Sequence, residues 1–122
     1  AAKLNVAEIA SGGSNAAMAD GYNTGYTTPG ASTNVSSVAI TPASGLITIT
    51  YQQRVAATGS NTLLLNPFTG TENAAADLPD PTTGGFAPVA ASLKWRCKAA
   101  GATTGHGTAG TLPARHAPAE CR

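Results

Sequence analysis

The sequence has 122 residues and a mass of 12.0 kDa, and more than half of its residues are Ala, Thr, Gly or Ser. Leu, Ile, Val and Phe together make up less than a fifth of the chain, which restricts the size of the hydrophobic core. Disordered chains combine few apolar residues with high net charge, whereas here the formal charge is +1 and charged residues make up 11%. We therefore expect residues 1–122 to form one small, β-rich extracellular domain. A two-domain enzyme is excluded by length.

The first 22 residues carry an apolar stripe with the spacing of an amphipathic helix. The stripe comprises Leu4, Ala7, Ile9, Ala10, Ala17 and Met18. This spacing predicts a helix over residues 2–22. Gly12 and Gly13 lie in its middle and each costs about 1 kcal/mol relative to Ala, so the helix needs packing against the rest of the chain. Residues 23–34 have loop composition and are predicted to form a connecting loop.

Four later segments have the alternation and composition of β-strands. They span residues 35–41, 46–54, 62–66 and 92–98. Pro67 is expected to end the third strand. Residues 68–91 are predicted to form a long loop, of a length that is often a functional surface. The sheet and this loop together span residues 35–98, and the order of elements predicts an α+β fold with one N-terminal helix packed on a four-stranded antiparallel meander.

Two cysteines, Cys97 and Cys121, bound a segment of almost only small residues. Such a segment cannot hold itself in place by burial, so a disulfide spanning residues 97–121 is expected to close it, in an oxidising compartment. The alternative is a metal site that adds His106 and His116 to the two cysteines. The wide spacing of these four residues favours the disulfide.

Charge is distributed unevenly along the chain. Residues 94–122 have a net charge of +4 and residues 1–93 a net charge of −3. Alternation in the last strand predicts that Leu93, Trp95 and Cys97 share a buried face while basic residues project from the other. The candidate polyanion-binding residues are Lys94, Arg96, Lys98, Arg115 and Arg122. The alternative is a solvated edge that prevents strand-to-strand aggregation.

An enzyme is not expected, because the sequence offers no nucleophile–base pair, no paired carboxylates and no phosphate-binding loop. We expect no cofactor and no metal ion. Glu72, Asp77 and Asp80 lie in the long loop but lack the alternating spacing of a calcium loop, which favours a solvated acidic loop.

The chain resembles the globular domain of a known family, the type IV pilins. The resemblance is carried by residues 112–122 (LPARHAPAECR), where two prolines precede the second cysteine, by Trp95, Arg96 and Cys97 at the start of the disulfide loop, and by residues 7–12 (AEIASG). His116 stands where the family commonly has Tyr, and Ala117 where it commonly has Leu. These two departures predict a thinner core around Cys121.

The resemblance implies a structural subunit of a bacterial pilus, at the surface of an extracellular filament that serves adhesion, twitching motility, biofilm formation or DNA uptake. Its partners would be other pilin subunits, with host or abiotic surfaces, phage and DNA as further ones. The precursor would be anchored in the inner membrane and face the periplasm. The alternative is a minor pilin or pilin-like subunit that acts as a receptor for DNA, another polyanion or a surface.

The apolar N-terminal half of the pilin helix does not occur in this sequence, which also lacks any apolar run of 18 residues and any signal peptide. We therefore expect the 122-residue chain to be a truncated form that stays a soluble monomer and does not form filaments alone.

Overall fold

The computed structural model describes residues 2–28, 30–57, 59–70, 75–88, 93–102 and 107–121. Its elements are helix α1 (Ala2–Gly12) and strands β1 (Val35–Ile40), β2 (Ile47–Tyr51), β3 (Thr62–Thr69) and β4 (Leu93–Lys98). Within these described ranges, single turns of 3₁₀-helix lie at Gly21–Asn23, Ala114–His116 and Ala119–Cys121. The predicted α+β architecture, an N-terminal helix packed on a four-stranded sheet, is confirmed.

Helix α1 is shorter than the sequence predicted, because it ends at Gly12 and does not extend to residue 22. Gly13 has a φ of +67°, the left-handed conformation that ends helices, and its N–H donates to the Ile9 carbonyl at 3.2 Å. A Cβ at Gly13 would lie 2.8 Å from Pro88 Cδ. The glycine pair therefore terminates the helix instead of being tolerated inside it.

The sheet is an antiparallel meander with strand order β1-β2-β3-β4. Its register aligns one row of apolar residues across all four strands: Ile40, Ile47, Leu65 and Cys97. Directly paired residues project from the same face of a sheet. One face is therefore apolar, and α1 packs on it.

Strand β3 continues through Pro67 to Thr69, so the prediction that Pro67 ends the strand is wrong. The pairing of β3 with β2 runs only to Leu65, whereas its pairing with β4 reaches Thr69. Pro67 thus lies where β3 has a neighbour on one side only, the position in which a missing N–H does least harm.

The apolar face carries two clusters of buried residues. The helix-side cluster comprises Val6, Ala10, Tyr22, Ile40, Ile47 and Leu78. The C-terminal cluster comprises Ala56, Leu63, Ala99, Leu112, Ala117 and Cys121. Ile49 is half-buried and packs against both. Helix α1 covers one part of this face, and the disulfide-bounded segment covers another.

The long loop after β3 is fastened to the rest of the molecule in its described part. Thr69 and Ala76 exchange two backbone hydrogen bonds of 3.0 Å, and Ser14 and Phe86 exchange two of 2.9 Å. Leu78 is 7% exposed and belongs to the helix-side cluster. The acidic residues of this loop were predicted to be solvated, and Asp77 and Asp80 are exposed while Leu78 contributes to the core.

Candidate functional site: the disulfide-bounded segment and the basic strand

The two cysteines are bonded to each other. Their sulfur atoms lie 2.04 Å apart, and their Cα atoms 4.7 Å apart. Cys97 comes from β4, where alternation directs it to the apolar face, and Cys121 comes from the last 3₁₀ turn and is 1% exposed. The predicted disulfide is therefore present in the structure.

The bond contradicts the alternative zinc site, because a disulfide leaves no thiolate to bind a metal. His116 is exposed, and His106 lies outside the described residues. Within the described ranges, no group of three or more His, Cys, Asp or Glu residues could hold a metal ion. Of the acidic residues considered for calcium, Glu72 also lies outside the described residues.

Backbone hydrogen bonds hold the disulfide-bounded segment along its length. Ala99 N–H donates to the Cys121 carbonyl at 2.7 Å, and Ala100 N–H donates to the Leu112 carbonyl at 2.9 Å. Leu112 N–H in turn donates to the Thr62 carbonyl on β3 at 2.8 Å. Gly110 N–H donates to the Lys98 carbonyl on β4 at 3.0 Å, so main-chain groups tie the segment to a central strand and to an edge strand.

Asn66 is a buried residue that the sequence analysis did not single out. It is 5% exposed, and its Nδ2 donates to the carbonyls of Arg96 at 3.2 Å and Thr108 at 2.9 Å. Its Oδ1 accepts from the Thr108 N–H at 2.8 Å. One side chain therefore fastens the disulfide-bounded segment to the sheet. The signal in the sequence was a single amide side chain inside the apolar run of β3.

The basic residues of β4 do not all face solvent, and the prediction that Lys98 does so is wrong. Lys98 is 5% exposed, and its Nζ donates to the Gly107 carbonyl at 3.0 Å. The disulfide-bounded segment crosses this part of the sheet, so it covers the lysine that alternation had placed at the surface. Lys94 is exposed and Arg96 is half-buried.

The remaining candidate cations are separate from this strand. Arg115 is exposed in the 3₁₀ turn Ala114–His116, and Arg122 lies outside the described residues. Lys94 Nζ donates to the Gly70 carbonyl at 2.5 Å. The exposed basic face is accordingly smaller than predicted, with Lys94 and Arg96 as its members on β4.

Trp95 packs against the helix-side cluster. The sequence predicted that its side chain is buried, whereas the structure shows it half-buried. The Nζ of Lys3, from the first turn of α1, lies 5.8 Å from the centroid of the Trp95 ring. This is the distance of a cation–π contact. No pattern in the sequence indicated this pairing, because the two residues are far apart along the chain.

Two neighbouring cavities lie beside the first turn of α1. Their volumes are about 270 Å³ and about 130 Å³, and both are lined by Lys3 and Leu65. The larger is also lined by Val38 and Ile49, and the smaller by Trp95, Arg96 and Cys97. We name the two cavities together the sheet groove, defined by the lining residues Lys3, Val38, Ile49, Leu65, Trp95 and Arg96.

A further cavity of about 390 Å³ lies between the β1–β2 turn, β3, the long loop and the disulfide-bounded segment. The acidic loop, residues 77–81, contributes Asp77 and Leu78 to its wall. Hydrogen bonds from the Thr82 hydroxyl and N–H lower the pKa of Asp80 beside it. Among the described residues, no helix has the length and apolar character needed to cross a membrane.

Comparison with known proteins agrees with this architecture. The family model for pilin, a bacterial filament protein, matches residues 1–122. Comparison with curated proteins gives no significant match. The crystal structure of a type IV pilin from Pseudomonas aeruginosa, strain Pa110594, superposes with a TM-score of 0.57 at 31% sequence identity, over 75% of this chain and 66% of that pilin. The chain thus spans slightly less than two thirds of that pilin's length. With the helix, the meander and the C-terminal disulfide in place, the chain belongs to the pilin family and has the type IV pilin fold.

Proposed function

We propose that this protein is a structural subunit of a bacterial type IV pilus, located at the surface of an extracellular filament. The observation that carries the proposal is the pilin family match over the whole sequence. The type IV pilin neighbour supports the same assignment through the fold. The proposed role is structural and not catalytic, and the partners are further copies of the same subunit.

The outer side of α1 supports subunit contacts. Val6 and Ala10 are buried against the sheet, whereas Leu4 is 62% exposed. Within the described residues, Leu4 is the large hydrophobic side chain that stays in solvent. An exposed apolar residue of this kind gains stability when another subunit covers it. In the assembled pilus, α1 would then face neighbouring subunits while the sheet and loops face outward.

The experiment is deletion of the gene in the bacterium that carries it, followed by electron microscopy and mass spectrometry of filaments sheared from the cells. We expect the filaments to disappear on deletion, to return on complementation, and to contain peptides of this chain as their main component. Unchanged filaments without such peptides would contradict the proposal. Adhesion, twitching motility, biofilm formation, phage attachment and DNA uptake of the same strains then identify which of these tasks the filament serves, and membrane fractionation locates the proposed inner-membrane precursor.

A second candidate, a minor pilin or pilin-like receptor that binds DNA or another polyanion, is favoured by the charge distribution alone. Lys94 and Arg96 project from the same face of β4, about 7 Å apart, close to the phosphate spacing along one nucleic-acid strand. Lys98 is buried, so it does not contribute to the exposed basic surface. Abundance separates the two candidates, because a minor pilin contributes little of the filament mass.

The binding test compares wild type with Lys94→Ala/Arg96→Ala in a fluorescence-anisotropy titration of DNA at low and physiological salt. Arg54→Ala, an exposed arginine outside β4, is the matched control. We expect weak, strongly salt-dependent binding that only the double variant loses. Equal binding by all three proteins, or binding that ignores salt, would assign these residues to protection of the sheet edge instead.

A further inference from the structure

The two edge strands of the sheet, β1 and β4, are covered to different extents. At β1, the Tyr26 hydroxyl from the loop before the strand donates to the Val38 carbonyl at 3.3 Å. At β4, within the described residues, a main-chain contact on the outer side occurs only past the end of the strand, where Ala99 N–H donates to the Cys121 carbonyl at 2.7 Å. Strand β4 is therefore the less protected edge.

The hydrogen-bond pattern of the sheet determines which main-chain groups of β4 face outward. Tyr51 N–H at the end of β2 donates to the Asn61 carbonyl at 2.8 Å, so the main-chain groups of Asn61 face β2. Because these groups alternate in direction along a strand, Leu65 also faces β2, and its partner Cys97 faces away from β3. Trp95 lies two residues earlier and faces the same way. Within the described ranges, its N–H and C=O bond no other strand or loop.

The side chains beside this open edge are sorted by face. Trp95 and Cys97 lie on the apolar face and line the smaller cavity of the sheet groove, about 130 Å³. Lys94 and Arg96 project from the opposite face of β4. Lys94 is exposed, and its Nζ reaches the Gly70 carbonyl. A strand added at this edge would therefore meet apolar surface on one face and positive charge on the other.

The two cations restrict which strand can join this edge. In a symmetric pairing of β4 with β4 of a second copy, Lys94 and Arg96 would face like charges across the two strands, which is destabilising. Basic side chains beside an edge protect it from unwanted pairing in this way. A strand with acidic residues at alternate positions replaces the repulsion by attraction, so the protection is selective.

We propose that the open edge of β4 binds an extended segment of a partner protein in which acidic and apolar residues alternate. In this mode of recognition, main-chain hydrogen bonds to the edge supply affinity and the side-chain pattern supplies specificity. The acidic residues of the segment lie beside Lys94 and Arg96, and an apolar residue lies beside Trp95 at the sheet groove. The proposal goes beyond the structural role in a pilus and does not depend on it.

A synthetic pentapeptide that alternates glutamate and valine, blocked at both ends, tests the contact with ¹⁵N-labelled protein. We expect amide hydrogen exchange of Trp95 to slow by about tenfold at millimolar peptide, because its N–H gains a partner. The amide of Arg96, which faces β3, should exchange slowly with and without peptide. A control peptide with its three glutamates before its two valines cannot separate charge from apolar groups by face, and it should leave Trp95 exchange unchanged.

N-methylation of the peptide separates strand addition from simple charge attraction. A valine directly opposite Trp95 shares its face and directs its own N–H towards β4, whereas the neighbouring glutamates direct theirs away. Methylation of the valine nitrogens should therefore abolish the slower exchange of Trp95, and methylation of the glutamate nitrogens should preserve it. Equal binding of the two methylated peptides, or unchanged Trp95 exchange at millimolar unmethylated peptide, would overturn the proposal.

A charge change on β4 tests the acidic character of the partner. Lys94→Glu should weaken binding of the glutamate peptide about fivefold and improve binding of the corresponding lysine–valine peptide. Arg54→Glu, at an exposed arginine outside β4, should change neither. Slower Trp95 exchange that depends on protein concentration without peptide would assign the edge to a second copy. A thymidine oligonucleotide that shifts Lys94 signals, while no peptide slows Trp95 exchange, would assign the cations to nucleic acid. Either result would overturn the proposal.

Discussion

The two clusters on the apolar face of the sheet are held together by different means. The helix-side cluster contains large side chains, among them Tyr22, Ile40 and Ile47, from α1, the sheet and two loops. The C-terminal cluster contains three alanines and the half-cystine Cys121, with Leu63 and Leu112 as its larger members. Where the first relies on buried apolar area, the second adds a covalent bond and a series of backbone hydrogen bonds.

The difference shows how a chain rich in Ala, Thr and Gly can fold. An alanine side chain removes little apolar surface from water, so a cluster of alanines contributes little hydrophobic free energy. Small side chains let the main chain of the disulfide-bounded segment approach β3 closely, and hydrogen bonds such as the one from Leu112 N–H to the Thr62 carbonyl then form. We therefore expect the helix-side cluster to respond to loss of volume, and the C-terminal cluster to loss of bonds.

The largest effect should come from loss of volume in the helix-side cluster. Ile47 is 1% exposed at the centre of the sheet, so Ile47→Ala should lower the free energy of unfolding by about 4 kcal/mol through lost transfer energy and a residual cavity. Urea denaturation measures the change. Leu4→Ala removes an aliphatic side chain of the same size from an exposed site on α1 and should cost less than about 0.5 kcal/mol. Equal losses would show that this cluster does not depend on burial.

Removal of the disulfide should have the next largest effect. Cys97→Ala/Cys121→Ala opens a loop with a sequence separation of 24, which the chain-entropy model values at about 3 kcal/mol. The change should be local first: amide hydrogen exchange should quicken at Ala99, Ala100 and Leu112 before it does in β2. Intact mass of the wild type with and without reductant and alkylation checks the bond itself. Two free thiols in the folded, unreduced protein would contradict the structure.

Asn66 tests whether hydrogen bonds hold the disulfide-bounded segment independently of the cysteines. Asn66→Ala removes the partner of Thr108 N–H and of two carbonyls and should lower the free energy of unfolding by about 2 kcal/mol. The amide of Thr108 should exchange faster while the disulfide stays intact. Ser37→Ala, at a half-buried residue of β1 on the opposite edge of the sheet, is the control. An unchanged Thr108 exchange rate would mean that the disulfide alone fixes the segment.

The elements of the fold could be read from the sequence where periodicity decides them. Alternation from Leu93 to Cys97 and the turn after Ile40 gave the strands nearly as they are. The helix end was missed because apolar spacing continues past Gly13, whereas Gly13 has a left-handed conformation and leaves no room for a Cβ beside Pro88. Pro67 was misjudged because the one-sided pairing of β3 is a property of the whole sheet.

The candidate site was harder to predict for the same physical reason. The disulfide followed from the need to close a segment of small residues, and strand alternation placed Lys94 and Arg96 on the outer face of β4. The burial of Lys98, the contacts of Asn66 and the Lys3–Trp95 pair depend on how distant segments cross the sheet. A sequence pattern describes one element at a time, so it does not predict contacts between segments that are distant along the chain.

Tyr22 supplies a pH-dependent test of the helix-side cluster. Burial first, and then the negative charge of Asp80, raise the pKa of Tyr22 to about 12 from an ordinary value near 10. The unfolded chain therefore loses this proton first, so the stability linked to Tyr22 is complete below about pH 10 and disappears as the pH rises towards about 12. Tyr22→Phe should cost about 1 kcal/mol at neutral pH through the lost hydrogen bond to Pro79, and it should show a shallower alkaline decline in urea denaturation. If the free energy of unfolding fell equally with alkaline pH in the two proteins, Tyr22 would not be the cause of the decline.

The smallest effect concerns Trp95, at the boundary between the helix-side cluster and the sheet groove. Because its ring is half-buried, its fluorescence should be intermediate between that of a buried and a solvated indole, with partial quenching by iodide. Lys3 lies over the ring, so Lys3→Ala should increase acrylamide quenching of Trp95 while lowering the free energy of unfolding by only about 0.5 kcal/mol. Lys94→Ala, a neighbouring lysine on the other face of β4, should leave quenching unchanged. Full protection of Trp95 in the wild type would instead place the ring inside the core, as strand alternation alone predicts, and would leave the groove without its aromatic side chain.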